Sequence, residues 1–424
     1  MNNYSEPHHA LDTAPLPSFP RFEGQTKFDV CVIGAGYTGI STSLHLAELG
    51  YNVALVEAQR IGNGASGRNG GQLGYGMSNL QPDLIHRFNK DIARKFWDLS
   101  VESVELFHDL CRKHSIDCDF SSGNMACATS ASALADLNHH ANIVESYGQS
   151  FYKRLDKELT QHTSGSSTYV GSILSQKSGH INPLKYVFGL AKAAEKAGVS
   201  IFEQSCVIAI KDTKPAKASF ETGTITADFL ILCCNGYLGN LSNKLANRIL
   251  PVDNYQATTQ ILDDATINSL IKEGVCVWDT SRSVHYFRLT PDKRLIMGCG
   301  IGIPGHPPKN LEKDCRHHIE WVYPQLKGVG IDYIWSGTLA GTNNNLPDVG
   351  QLAPHIFYAQ GYSGHGVGTA PLTGKYLAQE IHASSSGFKL LSRVKHRNVP
   401  GGRFLRLPAV LVYRLMTNTR DKFG

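Results

Sequence analysis

FDVCVIGAGYTGISTSLHLAELGYNVALVEA, residues 28–58, decides how the chain begins to fold. A run of apolar residues leads into glycines and is long enough for a buried parallel strand. The helix after it carries Ile40, Leu44, Leu46 and Leu49 on its apolar face and stops at Gly50. A second apolar strand, NVALVE at 52–57, follows. Between strand and helix, Gly34-Ala35-Gly36-Tyr37-Thr38-Gly39 fits G-x-G-x-x-G. The first glycine makes the tight turn, the second lets backbone approach a pyrophosphate, and the third permits close helix–strand packing. Glu57 closes the second strand, 18 residues past Gly39, where its carboxylate can accept hydrogen bonds from a ribose hydroxyl. Strand, glycines, helix, strand and acid in this order point to an adenine dinucleotide. The bland alternative is a glycine-rich turn in an empty α/β fold.

Working outward, a second glycine-rich loop, Gly64-Ala65-Ser66-Gly67-Arg68-Asn69-Gly70-Gly71-Gln72, follows Glu57 closely. Its density of glycine and donors suits a long extended cofactor better than a plain linker. Residues 90–115 have the spacing of an amphipathic helix, with Ile92, Phe96, Leu99, Val104, Leu106 and Phe107 on one side. The stretch 116–178 has no clear period. At 179–207 the order is turn, helix and strand, with Asn182 as N-cap and Pro183 in the first turn. ADFLILCCNG, 227–236, is a third apolar strand; residues 275–300 alternate like antiparallel strands around the turn Pro291-Asp292-Lys293. IFYAQGYSGHGVGTAPLTGKYLAQEIHA, 356–383, reads as strand, glycine loop and closing helix.

The chain has 424 residues, 42% apolar and 18% charged, enough for a sizeable core and too apolar for general disorder. Its net charge of +5 is too small to argue for nucleic acid as a partner. Residues 385–424 carry nine Lys/Arg against Asp421, so this tail is +8 and the rest of the chain −3. Its 403–416 segment, with Leu405, Val410, Leu411 and Leu415 on one side and Arg403, Arg406 and Arg414 on the other, reads first as a solvated element packed on its own protein. A membrane surface, another anionic partner or an oligomer contact is the less favoured reading. No stretch approaches the roughly 18–20 apolar residues of a membrane span. The ten cysteines are scattered without metal spacing, several inside apolar runs, so no metal site or disulfide framework is expected and the compartment reads as cytoplasmic. Residues 1–26, with four prolines and no secretory pattern, read as a flexible arm.

With both glycine loops in view, the chain resembles the D-amino-acid oxidase-like superfamily of FAD flavoproteins. GASGRNGGQ and the 399–421 tail look most like its gamma-glutamylputrescine oxidase branch. The resemblance implies an α/β fold (α+β overall), with a Rossmann-like FAD-binding domain and a mostly antiparallel substrate domain. The first would comprise 27–83, 179–248 and 331–384, the second 84–178 and 249–330. It also implies FAD contacts at residues 34–39, at Glu57, Ala58 and Gln59, and along Ala65, Ser66, Gly67, Arg68, Asn69, Gly70 and Gly71. Val207 takes the position whose backbone touches adenine, and Asn235-Gly236 and Gly337 border the flavin. Gly361, Ser363, Gly364, His365, Gly366, Val367 and Gly368 form the closing flavin loop. A helix N-terminus there can stabilise negative charge on the reduced ring, and His365 would lie beside it; a solvent-facing histidine is the alternative, and proton transfer by His365 a further step. Candidate substrate contacts are Tyr75, Tyr286, Arg288, Trp335 and Leu339. The segment 341–347 lacks the cysteine that attaches flavin in sarcosine oxidase relatives, which implies noncovalent FAD. Leu339 stands where amino-acid oxidases place a carboxylate-binding arginine, and Ile296 where the sarcosine oxidases place a lysine that activates oxygen. The implied activity is FAD-dependent oxidation of an amine, gamma-glutamylputrescine by preference, to an aldehyde with release of ammonia and hydrogen peroxide, dioxygen being the expected acceptor. An amino acid or N-methylated amine as substrate, or a flavin protein without turnover, remain open.

Overall fold

The computed structural model describes residues 6–148 and 150–399, arranged around two sheets. The first has the order Asp348–Ala353, Ile356–Gln360, Gly223–Leu232, Gly24–Ile33, Val53–Val56, Ser200–Phe202. All neighbours from Ile356–Gln360 onward are parallel; only Asp348–Ala353 runs against its neighbour. The central strand, Gly24–Ile33, begins polar and exposed and turns apolar from Val30, where both its faces are covered. Val30 and Val32 pack under the helices, while Cys31 and Ile33 join a separate core with Phe220, Ile225 and Leu245. The hairpin Ala209–Lys211 with Ala216–Phe220 adds to Gly223–Leu232 on that side.

The second sheet has the order Ile331–Thr342, Ile249–Thr259, Leu295–Gly302, Tyr286–Leu289, Cys276–Asp279, Ser121–Ala128, Gly171–His180, Gln72–Leu73. Only the pairing of Cys276–Asp279 with Ser121–Ala128 is parallel. The helix Leu311–Val322 backs it with Leu311, Cys315, Ile319 and Val322. The strand Ile331–Thr342, which the sequence reading gave to the first domain, pairs along its length with Ile249–Thr259 and so belongs to the second sheet. The segment without clear period contains the strands Ser121–Ala128, Lys153–Leu155 and Gly171–His180 and the helices Ala131–Glu145 and Lys157–Ser164. Its serine-rich strand GSILSQKSGH offers no clean alternation, which hid it.

The helices lie where their caps place them. Lys90–His114 starts at Asn89, whose side chain accepts from Ile92 N, and Asn182 accepts from Leu184 N and Lys185 N ahead of Pro183. The helix Tyr37–Glu48 lies against Gly366–His382, and their contact is close because Gly374 has no side chain: a Cβ there would stand 2.6 Å from Thr38 O. Ser41 Oγ donates to Pro371 O across this seam at 2.7 Å. No helix among the described residues is long and apolar enough to cross a membrane. All ten cysteines are free thiols.

The amino-terminal arm corrects the sequence reading. From residue 6 it is packed rather than flexible: His8, His9, Leu16 and Phe22 are buried. Four prolines stiffen an extended path along the surface, and apolar anchors dock it. Phe22 sits 4.8 Å from the Phe220 ring and 5.3 Å from Phe202, and its N–H donates to Ser205 Oγ at 2.8 Å. The 403–416 helix expected in the basic tail lies outside the described residues. Phe22→Ala should therefore destabilise the protein by about 3–5 kcal/mol, as a buried aromatic does. Denaturant unfolding would check this, and a loss below roughly 0.5 kcal/mol would mean that the arm is loosely attached after all.

Candidate active site

The turn after the first strand is built by clashes that only glycine avoids. Gly34 has φ +102°, and a Cβ there would stand 2.8 Å from Cys233 O. A Cβ on Gly39 would run into the Gly34 carbonyl. These contacts place the N-terminus of Tyr37–Glu48 beside the end of Val53–Val56, where Gly34 N donates to Val56 O at 2.8 Å. Glu57 follows at once. Its Oε2 accepts from Ala35 N at 2.9 Å and its Oε1 from Gln59 N at 3.0 Å, so each oxygen keeps a lone pair for a hydroxyl. Burial pushes its pKa above the ordinary carboxylate value, opposed in part by those amide bonds.

From this turn a cavity of about 2370 Å³ runs to the second sheet. An ordinary small-molecule pocket holds roughly 300–1,000 Å³, so this one has room for an extended cofactor together with a substrate. Of the residues singled out from sequence, 34–38, 57–59, 65–66, 68–70, Val207, Asn235, Gly337 and 363–367 line it. So do Tyr75, Tyr286 and Leu339. Gly39, Gly67, Gly71, Gly236, Gly361 and Gly368 do not line it; a side chain at any of them would press on neighbouring protein atoms, Gly236 on Thr338 and Gly368 on Ser103 among them.

Arg288 and Trp335, expected to touch substrate, lie behind the second glycine loop instead. Arg288 Nε donates to Gly70 O at 2.9 Å, and Trp335 Nε1 to Arg68 O at 3.0 Å. Gln256 Nε2 also donates to Arg68 O, at 2.8 Å, and His9 Nε2 bonds Asn69 O at 3.0 Å. Tyr286, two positions before Arg288 and so on the same strand face, also reaches Gly70. It lines the cavity, with its ring against Gly70 and its hydroxyl bonded to Asn254, whereas Arg288 is covered by the loop. Engaging the carbonyls of 68, 69 and 70 leaves fewer acceptors facing an anionic ligand.

At the other glycine loop, Gly366–His382 begins at the cavity with no side chain capping its first N–H groups. These free donors suit an electron-rich ring edge. His365 is buried and lines the cavity; burial lowers its pKa, so the imidazole is neutral at pH 7. Its Nε2 makes no direct hydrogen bond, although the backbone of Gly74 and Tyr75 is near enough to favour the charged form slightly. The far wall comes from Asn124, Trp278, Arg282, His285, His318 and Trp321, which sequence reasoning missed. They stand singly on two strands, one loop and one helix, and no spacing rule connects them.

Two glycine-built turns, a half-buried carboxylate at the second strand and an uncapped helix at the opposite edge suit a flavin, and together with the matches that follow they mark a flavin-dependent oxidoreductase that acts on amine or amino donors. Residues 29–380 match the profile of the FAD dependent oxidoreductase family (DAO), and the chain belongs to that family. Gamma-glutamylputrescine oxidoreductase of Escherichia coli (strain K12) is 35% identical, with 100% of each chain covered. Probable oxidoreductase OrdL of Haemophilus influenzae (strain ATCC 51907 / DSM 11121 / KW20 / Rd) is 34% identical over 92% of this chain and 90% of its own. The crystal structure of glycine oxidase from Geobacillus kaustophilus shares the fold, with a TM-score of 0.74 at 20% identity over 87% of this chain and 99% of that one.

Glu57→Ala should weaken FAD retention, since the bonds a carboxylate makes to ribose hydroxyls contribute roughly 0.5–3 kcal/mol each. Flavin fluorescence after gel filtration reads the loss. Unchanged retention would show that the ribose lies elsewhere.

Proposed function

We propose that this enzyme oxidises gamma-glutamylputrescine to gamma-glutamyl-gamma-aminobutyraldehyde, with release of ammonia and hydrogen peroxide. The observation that carries the reading is the end-to-end match at 35% identity to a gamma-glutamylputrescine oxidoreductase. Leu339 supports it from the cavity: an apolar side chain lines the wall where a carboxylate clamp would be needed for a simple amino acid.

Bound FAD supplies the acceptor for the hydride leaving the carbon beside the amine. The chain's own contribution is to hold, orient and desolvate. A primary amine is mostly protonated near pH 7, yet only the neutral form has the lone pair that assists C–H cleavage. The lining around the reacting end includes Tyr75, Tyr286 and Trp278, which favour the neutral form by desolvation. His365, itself neutral, can accept a hydrogen bond there without adding charge. The overall change balances as amine, dioxygen and water giving aldehyde, ammonia and hydrogen peroxide, with dioxygen taking the two electrons.

The substrate's acyl portion supplies binding energy remote from the reacting carbon, and that energy aligns the amine. Peroxide release should therefore be fastest with gamma-glutamylputrescine, and putrescine should lose several orders of magnitude in kcat/KM, partly in kcat. Glycine, D-alanine and sarcosine should be poor, because their carboxylates would meet Leu339. Comparable rates on putrescine would remove the remote anchor, and preference for glycine or sarcosine would replace the substrate reading with an amino-acid or N-methylamine oxidase. FAD should also pass into the supernatant on acid precipitation, since residues 341–347 hold no thiol; colour left in the pellet would contradict noncovalent binding.

A further inference from the structure

Four side chains with fixed charge line the cavity among the described residues: Glu57, Arg68, Arg282 and Asp314. Two are committed at the cofactor end. Glu57 is held by the amides of Ala35 and Gln59, and Arg68 donates to Asn63 O at 2.9 Å and Ser336 O at 3.3 Å. The other two belong to the substrate-domain wall. Arg282 makes no ion pair or hydrogen bond with any described residue. Arg282 is exposed, yet the loop that displays it is tied down on either side. Asp279, fully buried, accepts from Ser281 N at 3.1 Å and His285 N at 3.0 Å through one oxygen. Its other oxygen takes Ser281 Oγ at 3.1 Å and His285 Nδ1 at 2.9 Å.

The same loop is tied to the helix that carries Asp314. The His285 ring stacks on Trp321 at 4.4 Å with 10° between planes, and lies 5.0 Å from the His318 ring. His318 follows Asp314 by one helical turn, and burial lowers its pKa to about 3, so it adds no positive charge of its own at neutral pH. One guanidinium and one carboxylate thus line the cavity from two elements joined by these ring contacts.

We propose that Arg282 binds the α-carboxylate of an amino-acid head carried at the end of the substrate remote from the reacting amine, with Asp314 holding that head's ammonium group. The assignment rests on the substrate reading above and turns it into residues. A free cation on a pinned loop is pre-organised for a carboxylate. Asp314, of opposite charge on the helix to which that loop is tied, makes the lining complementary to a zwitterion rather than to a simple anion.

The test compares gamma-glutamylputrescine with N-acetylputrescine, which keeps the amide and the reacting amine but lacks both head charges. Wild-type holoenzyme, Arg282→Gln, Arg282→Lys and Asp314→Asn would be assayed for kcat and KM on each. Arg282→Gln should raise KM for the glutamyl substrate about 10- to 100-fold, the value of a charge-assisted hydrogen bond, with kcat changed far less. KM for N-acetylputrescine should move by less than about threefold, Arg282→Lys should recover part of the loss, and Asp314→Asn should weaken the glutamyl substrate selectively. Equal losses on both substrates would show a structural role for Arg282 and overturn the assignment. A variant that keeps the wild-type preference would overturn it while leaving the substrate reading intact. A wild-type enzyme without preference for the glutamyl substrate would overturn both.

Discussion

The closeness of Gly39 to the Gly34 carbonyl is the constraint from which the site follows. It forces the helix Tyr37–Glu48 to begin hard against the end of the first strand, so the positive end of the helix dipole and the Glu57 carboxylate come to lie a few residues apart in space. A larger residue at Gly39 would push the helix off the strand, and one at Gly34 would press on the Cys233 backbone. The seam between Tyr37–Glu48 and Gly366–His382 depends on that placement, because Gly374 meets Thr38 only when the first helix is seated. Thr38 then reaches Tyr362, its Oγ1 lying 2.7 Å from the tyrosine hydroxyl, and fixes the loop that leads into the second helix N-terminus. One backbone contact therefore organises both ends of the flavin site.

The second glycine loop joins this frame to the substrate sheet. Its carbonyls are held by Arg288 and Gln256 from strands of that sheet, by Trp335 from the edge strand, and by His9 from the amino-terminal arm. Arg288 is buried with no carboxylate partner among the described residues, and burial lowers its pKa to about 10. Desolvating a guanidinium is costly, and the Gly70 carbonyl offsets only part of that cost. The cation lends positive potential to the loop that faces the cofactor. Sheet and loop thus form one mechanical unit, and the amine pocket is registered to the flavin through backbone carbonyls rather than through side chains in the pocket.

What could be read from sequence was what local sterics dictate. The Gly34–Gly39 hexad, the acid at Glu57, the N-cap at Asn182 and the closing loop before Gly366 each carry a rule within a short window, and the chain shows them directly. Arg288 and Trp335 were misread because the face of a strand does not say which of its residues the second glycine loop covers. Tyr286 and Arg288 share a strand two positions apart, yet one ring lines the cavity while the other side chain turns to Gly70 O. Edge strand Ile331–Thr342 was given to the first domain because its partner, Ile249–Thr259, lies some eighty residues earlier. The arm looked flexible by its prolines, although Leu16 and Phe22 anchor it. Arg282, His285 and His318 were not found because a loop, a strand end and a helix meet only in the folded protein.

The central claim is that one cavity holds flavin and amine together, and anaerobic titration of the purified holoenzyme tests it most directly. Addition of gamma-glutamylputrescine without oxygen should bleach the flavin absorbance in proportion to the amine added, until one equivalent has been consumed. A yellow spectrum that persists with this amine, with putrescine and with simple amino acids would contradict the claim and leave a flavin protein that does not turn over amines.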